Sequence, residues 1–161
     1  MMKQEGEYSS VSGEWPLSAY KWKTERFFDK YVEGLKRKQI TGIRCTGCGS
    51  IFVPPTVICC RCLTRLRLEN DDDWIRISER GTVLSYTISY MEILPGGLKE
   101  RKKEDRIIYA LVQLDGTDTH MLVELRNLFE EDVKVGMRIC AVWVDEPKGA
   151  LSDISHFIPV K

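Results

Sequence analysis

The stretch RCTGCGSIFVPPTVICCRC, Arg44 to Cys62, holds five of the six cysteines of the chain. Cys45 and Cys48 form one C-x-x-C, Cys59 and Cys62 a second, and ten residues separate them. Two such knuckles can set four thiolates at the corners of a tetrahedron, about 2.3 Å from a zinc ion. Gly49 suits the turn that closes the first knuckle, because glycine tolerates a left-handed backbone there. Leu63 holds the equivalent place in the second. Pairing Cys60 with Cys62 would leave a single intervening residue, which closes a knuckle poorly, so Cys60 is read as a bystander. The metal ligands are therefore Cys45, Cys48, Cys59 and Cys62. A structural zinc leads this reading; a rubredoxin-like iron centre has the same ligand set, and a redox disulfide pair is the third reading. A catalytic zinc would keep a position open for water, whereas here all four positions are filled. Metal binding can supply roughly 10 kcal/mol of folding free energy, enough to fold a short segment with few large apolar residues. Arg44, Arg61, Arg65 and Arg67 lie close enough in sequence to offset the negative cluster.

Around this stretch, composition narrows the class. The chain has 161 residues, 43% of them hydrophobic, which allows one real core or two modules of which the smaller needs a staple. Lysine plus arginine equals aspartate plus glutamate at 24 each, so the net charge is zero. A nucleic-acid binder usually carries a basic excess to displace counterions from phosphates. The N-terminus lacks the apolar stretch of a signal peptide, and no run approaches membrane-spanning length. The expectation is a soluble cytoplasmic protein, where clustered cysteines suggest metal more than disulfides.

Outward from the cysteines, residues 1–17 read as a flexible tail. From Ser18 to about residue 39, Tyr20, Phe27, Phe28, Tyr31, Val32 and Leu35 recur at helical spacing and predict one amphipathic N-terminal helix. Lys36, Arg37 and Lys38 crowd its end, with Gly42 as the stop. Residues 40–70 form the ribbon, in short extended pieces around Pro54 and Pro55. Residues 71–161 read as strands: WIRIS, GTVLSYTISYMEI, RIIYALVQLD, HMLVELRN and MRICAVWVD, with LFEEDVKVG as a short helix or turn. The fold class is mainly β with an N-terminal helix, a small zinc ribbon followed by a five-stranded OB-fold-like Greek-key barrel.

Reactive machinery is scarce. His120 and His156 are the only histidines, neither beside a nucleophile, and His120 is expected at the surface or barrel rim. Cys140, inside an apolar strand, reads as a small core residue. The segment 94–106 carries Lys99, Arg101, Lys102, Lys103 and Arg106, three of them offset by Glu100, Glu104 and Asp105. It reads as a mobile solvated loop or as a contact to an anionic ligand or acidic partner, with Gly96 and Gly97 allowing movement. Trp15 and Trp22 fall off the predicted apolar face and are candidates for anchoring a partner.

The order FFDKYVEGL, IRCTGCGSIFVPP, CCRC, GTVLSYT, IIYALVQLD, VGMRICAVW resembles a family, once a domain of unknown function, in which a rubredoxin-like zinc ribbon precedes an OB-fold. The likeness spans about residues 24–145. The resemblance implies a non-catalytic partner of a thiolase-type enzyme, docked on its dimer and helping to hold a coenzyme A thioester during carbon–carbon cleavage or formation. It implies zinc on Cys45, Cys48, Cys59 and Cys62, and a CoA or partner contact at Lys99, Arg101, Lys102, Lys103 and Arg106. The departures are Cys60 where proline is usual, Leu63 where glycine is usual, and a longer, more charged loop at 94–106. The alternative is a nucleic-acid-binding ribbon and OB-fold; zero net charge and the lack of interleaved basic and aromatic residues argue against it.

Overall fold

The computed structural model describes residues 9–15, 18–24 and 28–160. Its first element is an antiparallel hairpin of β1 (Ser9–Trp15) and β2 (Ser18–Thr24), with Ser9 opposite Thr24 and Trp15 opposite Ser18. This corrects the flexible-tail and long-helix expectations for these residues; the parts of those expectations that fall on residues 1–8, 16–17 and 25–27 lie outside the described ones. In SAYKWKT, Tyr20 and Trp22 alternate with Lys21 and Lys23, a period of two that suits a strand as well as Tyr20 suits a helical stripe. The helix, α1, is short, Asp29–Lys36, with Asp29 in its first turn and Lys36 in its last, each favourable toward the helix dipole. It buries Tyr31, Gly34 and Leu35. Its stop is Lys38 at φ +55°, rather than Gly42, which lies within the next strand. The Lys38 N–H donates to Leu35 O and the Gln39 N–H to Gly34 O, satisfying carbonyls of the last turn.

The ribbon sheet is three-stranded, with β3 (Ile40–Arg44) between β4 (Ile51–Phe52) and β5 (Trp74–Ile77). WIRIS, grouped with the barrel from sequence, therefore pairs with the ribbon: Ile40 lies opposite Ile77 and Ile43 opposite Trp74. Its side chains serve both cores. Ile77 is buried in the main core, and Trp74 packs against both that core and the ribbon cluster of Ile43, Cys45, Phe52, Cys59 and Leu66. The Trp74 indole N–H donates to Leu68 O at 3.0 Å, so the ring packs without orphaning its polar atom.

The barrel closes from five strands in the order β10, β12, β11, β6, β9. These are β6 (Arg80–Ser89), β9 (Ile107–Leu114), β10 (Met121–Leu125), β11 (Arg138–Trp143) and β12 (Ile154–Pro159). All neighbouring pairs are antiparallel except β10 with β12. That arrangement is a five-stranded Greek-key barrel of OB type. The fifth strand, ISHFIP, has no place in the sequence reading. Along β9 burial alternates without a break, and Ile108, Ala110, Val112 and Leu114 face the core. The glycine of GTV has a packing reason: a Cβ on Gly81 would sit 2.6 Å from Gln113 O of β9. The segment LFEEDVKVG contains turns and no helix.

GTVLSYTISYMEI, one strand in the sequence reading, breaks at Tyr90. The chain leaves the barrel there and forms a second hairpin, β7 (Met91–Leu94) with β8 (Gly97–Glu100), Ile93 opposite Leu98. The predicted loop at 94–106 is therefore structured in its first half, and a short 3-10 turn follows at Lys103–Asp105.

The turn between β9 and β10 locks barrel to ribbon. The Ile51 N–H donates to Asp118 Oδ2 at 2.9 Å, and the Asp118 N–H donates back to Ile51 O at 2.9 Å. The Thr119 hydroxyl donates to Val53 O and accepts from the Val53 N–H, both at 2.8 Å. These bonds extend the ribbon edge into the barrel, and those from Thr119 satisfy the backbone groups of Val53, a buried residue.

Candidate functional site

The two knuckles fold alike. In the first, the Gly49 N–H donates to Cys45 O at 2.8 Å and the Cys45 N–H to Ser50 O at 2.8 Å. In the second, the Leu63 N–H donates to Cys59 O at 3.0 Å and the Cys59 N–H to Thr64 O at 2.9 Å. Both closing residues are left-handed, Gly49 at φ +79° and Leu63 at φ +59°. Leucine takes up a conformation that glycine occupies without steric cost, and at 78% exposed it gains little burial in return.

Cys45, Cys48, Cys59 and Cys62 bring their sulfurs within 4.8 Å of one another. Two approaches run between knuckles, Cys45 to Cys62 at 3.5 Å and Cys48 to Cys59 at 3.6 Å. A tetrahedron with arms of about 2.3 Å has edges of about 3.8 Å, so the sulfurs surround a volume of the size a zinc ion requires. No pair stands at the roughly 2.05 Å of a disulfide, and all six cysteines are free. Cys45 and Cys59 are buried; Cys48 and Cys62 are exposed, and Cys60 is exposed and outside the cluster. Burial pushes the Cys59 thiol up to about 11. The Thr64 hydroxyl, 3.1 Å from Cys62 Sγ, and the Thr64 backbone N–H hold Cys62 down at about 6. Cys48 is lowered by Ser50 in the same way. Hydroxyls beside two of the sulfurs thus favour the thiolate form that a metal ligates. Space at the cluster is tight: a Cβ on Gly47 would meet Thr64 Oγ1 at 2.4 Å and Cys62 Sγ at 3.1 Å.

Two of the four arginines expected to offset the cluster are engaged elsewhere. Arg61 reaches Asp118 at 3.3 Å and Ser50 Oγ at 3.3 Å, and Arg67 holds Asp73 at 2.8 and 3.0 Å. Arg44 and Arg65 are exposed.

The basic residues of 94–106 separate into two groups. Lys99, Arg101 and Lys102 line one groove together with Arg126, Glu92, Glu100, Asp105 and Glu124. Arg101 is tied to Glu92 at 3.8 Å. Lys103 and Arg106 face the turn after β10, where Lys103 pairs with Glu131 and Arg106 holds Glu130 at 2.9 Å. Arg106 also lies 4.5 Å over the Tyr90 ring. Among the five, Lys99 and Lys102 alone have no carboxylate partner among the described residues. The segment is not one basic patch.

What the sequence reading passes over is the apolar surface of the β7–β8 hairpin. Met91, Ile93 and Leu98 share one face, because Ile93 opposes Leu98 and Met91 lies two residues along. All three are exposed, as are Leu94, Tyr90 and Tyr86 nearby. The alternation in YMEIL was the available signal; it reads as a continuation of a barrel strand until the register shows otherwise. His120 is exposed just before β10, as expected, whereas Cys140, read as a core residue, is only partly buried: Ile139 and Ala141 on either side of it take the inward positions of β11 and leave it on the outer face. No helix of the described residues is long and apolar enough to cross a membrane.

Two family profiles match. Residues 32–69 match the rubredoxin-like zinc ribbon domain of ChsH2, and residues 74–144 match its C-terminal OB-fold domain. A DUF35 domain-containing scaffold protein of Methanocaldococcus jannaschii is 29% identical over 108 residues, covering 67% of this chain and 70% of the relative. A crystal structure of a DUF35-family protein of unknown function from Sulfolobus solfataricus superposes with a TM-score of 0.57 at 26% identity, over 74% of this chain and 79% of that one. A chain of a structure titled Ltp2-ChsH2(DUF35) aldolase superposes with a TM-score of 0.55 at 21% identity, over 85% and 94%, a likeness of fold.

Proposed function

This chain belongs to the DUF35 family, in which a ChsH2-type rubredoxin-like zinc ribbon is joined to an OB-fold domain, and on that premise we propose that it is a non-catalytic subunit of a thiolase-type complex acting on acyl-CoA. The observation that carries this reading is the β7–β8 hairpin. It springs from the connection between the first two barrel strands, β6 and β9, a connection that OB-folds use for recognition. Exposed apolar side chains gathered on one small projection mark a protein contact more than a solvent face. The scaffold description of the Methanocaldococcus relative and the aldolase title of the structural neighbour support the assignment of an enzyme partner.

In this division of labour the partner supplies nucleophile and base, and this chain supplies a wall and a stable mount. Among the described residues no cysteine is hydrogen-bonded to a histidine: Cys140 lies in β11, and His156 Nδ1 meets Ser155 Oγ at 3.0 Å. Zinc on Cys45, Cys48, Cys59 and Cys62 is structural. Bound there, it holds the two knuckles together, and through Asp118 and Thr119 the ribbon then sets the barrel's position. The groove of Lys99, Arg101 and Lys102 is the region of this chain assigned to the coenzyme A phosphates. Lys103 and Arg106, committed to Glu131 and Glu130, contribute to local structure.

Co-expression with a thiolase-type subunit tests the reading. Ile93→Asp with Leu98→Asp should abolish co-purification while zinc content and melting temperature of the isolated chain stay unchanged. Retention of the complex by that double variant, or cleavage of a 3-oxoacyl-CoA at enzymatic rates by this chain alone, would refute it.

A further inference from the structure

β10 and β12 run parallel and meet in register only at Leu125 and Phe157. Ahead of that point they part, and residues of both line a cavity of about 370 Å³. That size lies within the roughly 300–1,000 Å³ range of small-molecule sites. Leu122, Val123, Leu151, Ile154 and Phe157 make much of its wall apolar. Both histidines of the chain, His120 and His156, also line it, and Tyr31 reaches it from α1.

Tyr31 is fully buried, and its hydroxyl has no hydrogen-bond partner among the described residues. Burial raises its pKa above the ordinary phenol range, so the hydroxyl keeps its proton and remains a donor. A buried donor left unmade costs free energy, and native structures pair nearly all such groups. The matching ligand atom is an acceptor with no hydrogen of its own to satisfy, which describes a carbonyl oxygen. A carboxylate is disfavoured, because a buried charge needs a partner. The cation acting on this region, Arg126, is already held by Glu124 at 2.6 Å. Burial, then Arg126, lowers the pKa of His156, and its Nδ1 lies 3.0 Å from Ser155 Oγ.

We infer that the gap between β10 and β12 is a binding site for a neutral apolar carbonyl compound, a ketone or ester. Its oxygen accepts from the Tyr31 hydroxyl and its hydrocarbon lies against Leu122, Ile154 and Phe157. The site shares no residue with the β7–β8 hairpin and needs no partner subunit, so it is tested on the isolated chain.

The zinc-loaded full chain is titrated with 2-octanone, with octanoate and 2-octanol as comparators, and followed by amide chemical shifts and by melting temperature. Shifts are expected at Met121–Glu124 and Ile154–His156, with the ketone bound at least about tenfold more tightly than octanoate and more tightly than the alcohol. Tyr31→Phe keeps the ring and removes the orphan hydroxyl. It should weaken ketone binding roughly five- to tenfold while leaving the ligand-free protein as stable as native or more so. Equal ketone affinity in Tyr31→Phe, shifts scattered over the surface, or a ligand-free variant that melts below native would overturn the inference. The last result would mean that the hydroxyl serves a structural water.

Discussion

Replacing Leu63 by glycine should strengthen the protein. Leu63 closes the second knuckle at φ +59°, and a left-handed backbone costs an L-residue about 1–2 kcal/mol. Its side chain is 78% exposed, so truncation forfeits almost no packing. The N–H that donates to Cys59 O at 3.0 Å is a backbone group and survives the change. Against the relief stands the greater freedom of glycine in the unfolded chain, about 0.5–1 kcal/mol. The balance is a gain of about 0.5–1 kcal/mol, which appears as roughly two- to fivefold tighter zinc binding where folding and binding are coupled. Leu63→Val, β-branched and worse suited to positive φ, should shift affinity the other way. Competition for zinc against a chromophoric chelator reads both variants on one scale, and the urea midpoint of the zinc-loaded protein provides a second measure. If Leu63→Gly binds zinc more weakly than native, or no differently from Leu63→Val, backbone strain is not what distinguishes the two knuckles.

Three further outcomes test other links. Cys45→Ser removes a buried ligand and should unfold the ribbon, with loss of stoichiometric zinc, whereas Cys60→Ser, exposed and outside the cluster, should keep full zinc content by elemental analysis. Thr119→Val strips both partners from the buried Val53 backbone and should cost about 3 kcal/mol, read from the urea midpoint, with β3 and β4 exchanging amide hydrogens faster. Asp153 is buried, which raises its pKa, but the N–H groups of Lys148, Ala150 and Gly149 at 3.0, 2.9 and 2.7 Å outweigh burial and hold it below the usual carboxylate value. A folded-state pKa below the unfolded value contributes stability that is present above about pH 4 and lost as pH falls through the folded value. Asp153→Asn should therefore lower stability at pH 7 and flatten the acid limb of the stability profile; an unchanged acid limb would contradict the assignment.

The cysteine spacing determined the ribbon, because tetrathiolate chemistry is a local property of two C-x-x-C pairs and needs nothing distant. It also distinguished Cys60 from the ligands, since one intervening residue cannot close a knuckle. Alternation in RIIYALVQLD determined β9, whose inward face is the period-two set of Ile108, Ala110, Val112 and Leu114. Other features depended on partners far away in sequence. Trp74–Ile77 is a strand wherever it lies, but only pairing with β3 assigned it to the ribbon. Ser18–Thr24 carried both periods, and pairing with β1 selected the strand. ISHFIP carries too little alternation to stand out, and becomes a barrel strand through its bonds to β11 and β10. Lys99 and Arg106 are seven positions apart in one charged run, yet tertiary packing turned one toward a groove and engaged the other with Glu130. Local chemistry is written in residue type and spacing; which edges pair, which cations remain free and where a cavity opens are set by long-range contacts that spacing does not encode.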